Sequence, residues 1–363
     1  MNARIDAFLQ LAVEQGGSDL HLISGLQPRI RVNGLLQTVH FRELSREDIE
    51  LLLGEIMTPQ QRQEFAEHSA TDLAYDGSTL GRFRCNIYRH VRGLGVVLRA
   101  IPTRVPPLAE LALPDSVRLA ASQPKGLVLV TGPTGTGKTT TLAAMVDLIN
   151  ATRQGHIVTI EDPIEYVHTY KKCVVTQREI GVHSPSFAEA LRDALRQDPD
   201  VILVGEMRDV ETIALALTAA ETGVQVLGTL HTSGAARTID RIINVFPARR
   251  QDQIRVMLAD SLRMIISQRL ARTRDGNQRI PVVEILINTH AVASMIRSGN
   301  SHKLESAIQA GQSAGMQSLD TALRTLVRDH MISAEEAHAC AINKVQFEHL
   351  LAAERGTTTG ARL

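Results

Sequence analysis

The sequence predicts an α/β protein with an N-terminal α+β domain and a C-terminal domain built on a parallel sheet. In the C-terminal part, apolar runs alternate with helical patterns and are too continuous for half-exposed antiparallel strands. These runs are residues 127–130, 157–160, 201–204 and 226–230. Prolines cluster between residues 102 and 114, where they stiffen the chain and disfavour helix. We therefore expect domains at 1–101 and 116–354, joined by a proline-rich linker at 102–115.

The N-terminal domain begins with apolar side chains at helical spacing and then changes to period-two alternation. Asn-Gly and Asp-Gly pairs between such segments are typical of tight turns. The expected elements are a helix at 5–15, strands at 19–22 and 29–32, a hairpin turn at Asn33-Gly34, a helical stretch at about 45–67, a turn at Asp76-Gly77 and a strand at 82–88.

A glycine-rich loop follows the first apolar run of the C-terminal domain. Residues 132–139 read Gly-Pro-Thr-Gly-Thr-Gly-Lys-Thr, and an apolar stripe of helical spacing follows from Leu142 to Ile149. A strand, such a loop and a helix in this order predict a phosphate-binding loop, in which backbone N–H groups surround phosphate, Lys138 reaches its outer oxygens and the Thr139 hydroxyl ligates Mg²⁺. The residues expected to bind ATP are Gly132, Pro133, Thr134, Gly135, Thr136, Gly137, Lys138, Thr139 and Thr140.

Capping signals and periodicity predict the remaining elements. Ser186-x-x-Glu189 is a capping box that opens a helix expected to end at Asp198-Pro199. After about residue 254 we expect a mostly helical chain, and we expect the tail 355–363 to be disordered.

Composition restricts the partners and the compartment of the protein. Lys+Arg and Asp+Glu are equal at 39 each and aromatic residues make up 3%, which argues against binding of nucleic acid. The three cysteines lie far apart and fit neither a disulfide framework nor a zinc site, so we expect a reducing cytoplasm. No apolar run approaches the roughly 18 residues of a membrane-spanning helix. We therefore expect no direct membrane insertion, and association with a membrane only through a partner.

Ionisable residues follow three of the apolar runs. Ligands of such sheets bind at the carboxyl ends of the strands, and these ends carry Glu161, Glu206 and His231. Hydrolysis of a γ-phosphate requires Mg²⁺, an aligned water and charge stabilisation. Glu206 is therefore a candidate Mg²⁺ ligand together with Thr139, and Glu161 is a candidate acceptor of the water's proton. His231 is a candidate sensor of the γ-phosphate, with a purely structural hydrogen bond as the alternative.

These motifs resemble those of secretion-type ATPases. The shared motifs are the phosphate loop, the acidic box 161–165, the segment 204–209 and the histidine box 228–232. Further segments are similar to the type IV pilus retraction ATPases, the PilT-like branch, at 18–22, 82–84, 238–243 and 246–247. The resemblance covers about residues 3–345 and includes the order of the motifs.

The resemblance implies a homohexamer whose subunits have a PAS-like N-terminal domain and a RecA-like ATPase domain, with ATP between them. It implies a motor that hydrolyses Mg-ATP to power pilus retraction and twitching motility, acting in the cytoplasm on an inner-membrane platform protein. In the family, arginines of the N-terminal domain approach the nucleotide, and Arg84 and Arg99 occupy the matching positions. Alternation along 82–88 places Arg84 on the polar face of its strand, and a solvated role is the alternative for both arginines.

One segment departs from the family pattern. Retraction ATPases often carry Ala-Ile-Arg-Asn-Leu-Ile-Arg-Glu where this chain has residues 291–298, and only Ala291, Ile296 and Arg297 match. The alternative functions are an accessory pilus or secretion ATPase paralogue, a nucleotide-gated scaffold that does not hydrolyse ATP, and a RecA-type nucleic-acid motor. The lack of a tetracysteine motif and of a long N-terminal extension favours the retraction branch.

Overall fold

The computed structural model describes residues 3–32, 34–101 and 104–359. The chain divides into two compact units, Met1–Arg104 and Val105–Leu363. Residues 102 and 103 of the expected linker lie outside the described residues, and the rest of that linker contains a short 3-10 helix, Leu108–Leu111, within the second unit.

The first unit is an antiparallel sheet with helices. Its strands follow the order β3-β2-β1-β6-β5-β4, and every pairing is antiparallel. Its elements, within the described residues, are α1 Ile5–Glu14, β1 Asp19–Ile23, β2 Arg29–Val32, β3 Leu35–Thr38, α2 Arg46–Ile56, α3 Pro59–His68, β4 Ala70–Asp76, a 3-10 helix Ser78–Leu80, β5 Arg82–His90 and β6 Gly93–Ile101.

Most predicted elements of this unit are present. The predicted hairpin joins β2 to β3, although Asn33 itself lies outside the described residues. Phe83 and Cys85 are buried while Arg84 is exposed, which confirms the alternation predicted for β5. The single helical stretch expected at 45–67 is wrong in one respect, because the structure has two helices there.

The break between α2 and α3 has a local cause. Pro59 lacks a backbone N–H and cannot continue a helix, but it is well accommodated in a first turn. Thr58 precedes it in extended conformation, and its hydroxyl accepts a hydrogen bond from the backbone N–H of Gln61 at 3.3 Å. The capping box of α3 therefore begins a new helix at the point where α2 has ended.

The second unit alternates strands and helices before a helical C-terminal part. Within the described residues its elements are α4 Asp115–Ala121, β7 Gly126–Thr131, α5 Lys138–Thr152, β8 Gly155–Glu161, β9 Cys173–Glu179, α6 Phe187–Ala194, β10 Val201–Val204, α7 Val210–Glu221, β11 Gln225–Leu230, α8 Ala235–Asn244, α9 Ala248–Ser261, β12 Leu262–Arg272, β13 Arg279–Ile287, α10 His290–Arg297, α11 Leu304–Ala310, α12 Leu319–Arg328, α13 Ala334–Cys340 and α14 Val345–Thr359, with short 3-10 helices at Ser301–Lys303 and Gln312–Ala314.

The sheet of this unit has the strand order β13-β12-β7-β11-β10-β8-β9. All neighbours are parallel except β12 and β13, so the four apolar runs form parallel strands as predicted. Leu127 and Leu129 pack into one core with residues of α6 to α11, whereas Val128 and Val130 pack into a second core with α4 and α5. Both faces are covered, which explains why these strands are apolar throughout. The predicted α/β fold class is confirmed.

The expectation of a mostly helical chain after residue 254 is wrong for β12 and β13. These strands form a hairpin whose register pairs Met264 with Ile287 and Arg272 with Arg279. Strand β13 is rich in β-branched residues and the turn between the strands contains Asp275-Gly276, whereas β12 has only Ile265 and Ile266. The sequence therefore carried only part of the signal. Helices α12 to α14 pack against these two strands in a separate core.

Two predicted ends also differ. Helix α6 ends at Ala194 rather than at Asp198. Helix α14 continues to Thr359, so residues 355–359 of the expected disordered tail are helical, and residues 360–363 lie outside the described residues. None of the helices in the described part of the chain combines the length and apolarity that a membrane crossing requires.

Candidate nucleotide-binding and catalytic site

The phosphate loop lies between β7 and α5, as the sequence predicts. Gly132 has a φ of 143°, and a Cβ atom there would lie 2.3 Å from the carbonyl oxygen of Gln268. Gly137 precedes the first residue of α5 with a φ of 83°. The positive φ angles favour glycine at both positions. At Gly132 the close approach of the Gln268 carbonyl oxygen also leaves no room for a Cβ atom. The loop leads into the N-terminus of α5, where N–H groups and the helix dipole favour phosphate.

Lys138 lies inside this loop. Its Nζ donates hydrogen bonds to the carbonyl oxygens of Gly132 at 2.9 Å and Pro133 at 3.0 Å. Burial lowers the pKa of Lys138, and the nearby carboxylates of Glu206 and Glu165 oppose that shift. The ammonium group is thus held inside the loop, with acidic side chains close enough to affect its charge.

Gln268 on β12 contacts the phosphate loop through its side chain and holds it in position. Sequence reasoning missed this role. Its side chain is 2% exposed. Its Nε2 donates to the carbonyl of Thr136 at 2.7 Å, and its Oε1 accepts from the Thr141 hydroxyl at 2.9 Å. One buried amide therefore joins the loop, α5 and β12, and this link connects residues too distant in sequence to be predicted from a motif.

His231 connects the phosphate loop to the end of β10. Its Nδ1 lies 3.4 Å from the hydroxyl of Thr134, and its Nε2 lies 3.1 Å from Oε1 of Glu206. Arg208 contacts the same Oε1 at 2.5 Å. Burial alone would raise the pKa of Glu206, but the hydrogen bond from Arg208 and the interaction with His231 outweigh it and lower the pKa. Glu206 is therefore held as a carboxylate beside the loop.

Glu161 ends β8 in a more buried environment and is 8% exposed. Its Oε1 accepts hydrogen bonds from the Thr159 hydroxyl at 2.7 Å and from Nε2 of Gln177 at 3.2 Å. Burial raises the pKa of Glu161 to about 7, even though these two hydrogen bonds act to lower it. A carboxylate with such a pKa takes up a proton readily at neutral pH, which suits a general base.

Glu161 lines a cavity together with Thr139 from the start of α5. The other residues around this cavity are Leu142, Ala143, Asp162, Pro163, Glu165, His168, Leu203, Gly205 and Thr229. The structure thus places the predicted proton acceptor and the predicted Mg²⁺-ligating hydroxyl around one space at the carboxyl ends of the strands.

The oxygen atoms at this edge of the sheet fit the preference of Mg²⁺ for hard donors. Thr139 offers a hydroxyl, and Glu206 offers a carboxylate whose contacts with Arg208 and His231 both use Oε1. Mg²⁺ is commonly held by one or two protein oxygens with waters and substrate phosphates rather than by a protein cage. The described part of the chain contains no group of three or more His, Cys, Asp or Glu able to hold a metal.

Arg84 and Arg99 lie in the first unit, where they are directly opposite each other on β5 and β6. Arg99 donates from Nε to Asp19 at 2.7 Å, and Nε of Arg84 lies 3.8 Å from Asp72. Both arginines are on the polar face of the sheet. The side chain of Arg99 is 69% exposed and that of Arg84 is 46% exposed. Within the described residues, the contacts that the structure gives them are with the acidic residues of their own unit.

The type II/IV secretion system protein family matches residues 1–359 of the chain. The chain belongs to this family. Its similar relatives include the type IV pilus retraction ATPase PilT of Pseudomonas aeruginosa, 49% identical over 333 residues that cover 92% of this chain and 96% of the relative. A twitching motility protein of Neisseria gonorrhoeae is 49% identical over 316 residues, covering 87% of this chain and 84% of that protein.

Solved structures agree with this membership of the type II/IV secretion system protein family. The crystal structure of the pilus retraction motor PilT with bound ADP superimposes with a TM-score of 0.89 at 41% identity, covering 95% of this chain and 99% of the other. These comparisons confirm the resemblance to retraction ATPases that the motifs predicted. They also confirm that the chain is an ATPase of this family.

Proposed function

We propose that this chain is an ATPase motor that hydrolyses Mg-ATP to power retraction of a type IV pilus. The observation that carries the proposal is the convergence of a complete phosphate loop, the Glu206–His231 contact and the buried Glu161 at one edge of the sheet. The relatives named as a retraction ATPase and a twitching motility protein match most of the chain and support the same task.

ATP is the substrate, and its phosphates lie in the loop. The N–H groups at the start of α5 and the ammonium of Lys138 attract the phosphate oxygens. Thr139 and Glu206 would hold Mg²⁺, which supplies charge neutralisation on the phosphate oxygens when it is bound. Because Lys138 already contacts two loop carbonyls, binding exchanges those contacts for contacts with phosphate.

Glu161 takes the proton from the attacking water. Its burial excludes bulk solvent, and its raised pKa makes it a stronger base than an exposed glutamate. Glu206 and His231 report the state of the γ-phosphate to the loop, since His231 lies between Glu206 and Thr134. If Glu206→Ala or His231→Ala leaves Mg-dependent turnover unchanged at saturating ATP, that residue has no such role.

We propose a homohexameric ring in the cytoplasm that acts on an inner-membrane platform protein of the pilus. Arg84 and Arg99 would then contact the nucleotide when it is bound and connect its state to movement of the first unit. Sedimentation of the full chain with and without Mg-ATP tests the ring, because a chain that stays monomeric at micromolar concentration with nucleotide would contradict it.

An accessory motor of the same system is the second candidate. The segment 291–298 that departs from the family pattern lies on α10 and its C-terminal cap, where Arg297 pairs with Asp260 of α9 at 2.7 Å. Deletion of the gene distinguishes the two candidates. Many surface pili without twitching motility are expected for the principal retraction motor, whereas bald cells indicate an assembly motor and unchanged cells indicate an accessory one.

A scaffold that binds ATP without hydrolysing it is tested separately. We expect Mg-dependent release of phosphate from the purified wild-type chain and its loss in Glu161→Gln. Binding of a fluorescent ADP analogue by a chain that releases no phosphate at any protein concentration would support the scaffold instead.

A further inference from the structure

The side chain of Gln177 on β9 occupies the centre of the loop that follows Glu161. Its Nε2 donates to Oε1 of Glu161 at 3.2 Å and to the carbonyl oxygen of Tyr166 at 2.9 Å. Its Oε1 accepts from the backbone N–H of His168 at 2.8 Å. One amide therefore holds both the side chain of Glu161 and the backbone of the segment that runs past it.

These partners determine the orientation of the amide. The N–H of His168 can only donate, so the atom facing it must be oxygen. The NH₂ group then faces the carbonyl of Tyr166 and the carboxylate of Glu161, both of which can only accept when Glu161 is ionised. Rotating the amide by half a turn would place its oxygen against the carbonyl of Tyr166 and the carboxylate of Glu161, which are both acceptors. It would also place the NH₂ group against the N–H of His168, which is a donor.

The two side-chain hydrogen bonds on Glu161 use the same oxygen. Thr159 and Gln177 both donate to Oε1. A donor to a carboxylate stabilises its charged form, and two donors on one oxygen fix the rotation of the carboxyl plane. The titratable side chains that share the cavity with Glu161 are Asp162, Glu165 and His168.

The same network extends to the first turn of α5. The hydroxyl of Tyr166, whose carbonyl accepts from Gln177, lies 3.1 Å from the hydroxyl of Thr140 on α5. A second β9 residue, Glu179, accepts from the N–H of Ile164 at 3.1 Å. Glu179 thus supports the same loop but contacts a different part of it, which makes it a matched control.

We propose that Gln177 is the positioning residue for Glu161, holding its carboxylate toward the attacking water of ATP hydrolysis. This inference rests on the proposed function, in which Glu161 accepts the proton of that water. Gln177 acts through Glu161 and through the Tyr166 segment, so its loss should slow the chemical step and leave nucleotide binding intact.

Two substitutions separate the donor from the loop anchor. Gln177→Leu removes all three hydrogen bonds, whereas Gln177→Glu keeps an oxygen for the N–H of His168 but replaces the donor to Glu161 with a second carboxylate. Glu179→Gln keeps an acceptor for Ile164. Glu179 is opposite Glu161 in the β8–β9 register, but its side chain makes no hydrogen bond to the carboxyl of Glu161. For the full chain with Mg-ATP, kcat and KM are measured as a function of pH, with melting temperature as a check on folding.

We expect both Gln177 variants to lose about tenfold in kcat near neutral pH, a part of the full effect of a general base. We expect KM to stay within about twofold, since the phosphate loop is untouched. The acid limb of kcat should move to higher pH, because the charged form of Glu161 has lost a donor and, in Gln177→Glu, has gained a like charge. Glu179→Gln should behave as the wild type.

Three outcomes would overturn the inference. In the first, kcat of both Gln177 variants stays within about twofold of that of Glu179→Gln, less than a hydrogen bond to a charged group contributes. In the second, kcat falls but the acid limb does not move. In the third, Gln177→Leu is impaired while Gln177→Glu is normal, which would mean that only the loop anchor matters. Glu161→Gln distinguishes the two proposals. If it retains turnover, the role of Glu161 fails, and if it alone abolishes turnover, only the role of Gln177 fails.

Discussion

Glu161 combines burial with an ionisable group beside the phosphate loop, and this sets the pH dependence of turnover. With a pKa of about 7 raised by burial, the group is protonated below that pH and cannot accept a proton from water. We expect kcat for Mg-ATP to fall as the pH is lowered through about 7, with a dependence on a single proton. Steady-state phosphate release across the neutral range measures this, and a kcat that is flat down to about pH 5 would contradict the assigned base.

The same residue should make stability depend on pH. The pKa of Glu161 is raised from 4.5 to about 7 in the folded protein, so the folded chain holds this proton more tightly than the unfolded chain. Its contribution to stability is present below the unfolded value and is lost as pH rises through the folded one. Near pH 8 the folded wild type therefore holds a buried, charged carboxylate at a cost in stability. Glu161→Gln removes that charge, and we expect its melting temperature to exceed that of the wild type by several degrees near pH 8.

This difference should shrink as the pH falls below the unfolded value of 4.5, because the wild-type carboxyl is then protonated in both states. Glu50→Gln, an exposed change on α2, serves as the control and should show no such pH dependence. A Glu161→Gln chain that is less stable than the wild type near pH 8 would show that the lost carboxylate hydrogen bonds outweigh the cost of burial.

At the level of single residues, sequence reasoning found the groups that lie next to a recognisable pattern. The phosphate loop and the charged strand ends Glu161, Glu206 and His231 each follow an apolar run, and the structure brings them to one edge. Gln177 and Gln268 could not be found in this way. Each is a neutral side chain outside any recognisable motif, and only the folded structure brings its amide to the groups that it binds.

Among the elements, β12 packs against the phosphate loop, and the side chain of Gln268 contacts the loop. Gln268→Leu leaves the carbonyl of Thr136 and the hydroxyl of Thr141 without this partner. A buried group that loses its hydrogen bond costs about 1–3 kcal/mol. We expect a lower melting temperature and a weakened affinity for ADP, measured by fluorescence titration.

Gln225 offers a matched control for this prediction. It is also buried, and its Nε2 donates to the carbonyls of Ala120 and Ala121 at the opposite end of the parallel strands. Gln225→Leu should lower the melting temperature without changing the affinity for ADP. Equal losses of affinity in the two variants would show that Gln268 acts only through global stability.

Element prediction succeeded where the apolar pattern is continuous or strictly alternating and failed where it is mixed. The runs that became β7, β8, β10 and β11 are continuously apolar because helices cover both sides of the sheet. Strand β9 is at the edge and exposes Val174, so its pattern is mixed. The hairpin of β12 and β13 was obscured by polar residues such as Gln268 and Glu284, which are buried but hydrogen-bonded.

For the whole molecule, the proposed motor requires the first unit to respond to the nucleotide through Arg84 and Arg99. The Arg84–Asp72 pair is exposed on both sides, and such pairs contribute only about 0–1 kcal/mol. Arg99 instead pairs with Asp19, whose side chain is only 7% exposed. We therefore expect Arg84→Ala to leave the melting temperature almost unchanged, and Arg99→Ala to lower it because the buried Asp19 loses a donor. Both changes should lower kcat by tenfold or more, roughly what loss of a charge-stabilising donor costs.

Arg46 on α2 is an exposed arginine of the same unit, paired with Glu50 at 2.8 Å. Arg46→Ala should leave both melting temperature and turnover as in the wild type. Turnover that is equal in the Arg46, Arg84 and Arg99 variants would remove the two sheet arginines from the catalytic cycle.

The strand order also determines when the site can exist during synthesis. Strand β7 carries the phosphate loop, and its neighbours in the sheet are β11 and β12. Strands β8 and β10 pair with each other and leave the ribosome earlier than either of those neighbours. Strand β7 therefore has no neighbouring strand to pair with until β11 has been synthesised. The side chain of Gln268, which binds the loop, is added later still, with β12. We therefore expect nucleotide binding to be a late event in biosynthesis, because a nascent chain that ends before β12 has a phosphate loop without the side chain of Gln268 behind it.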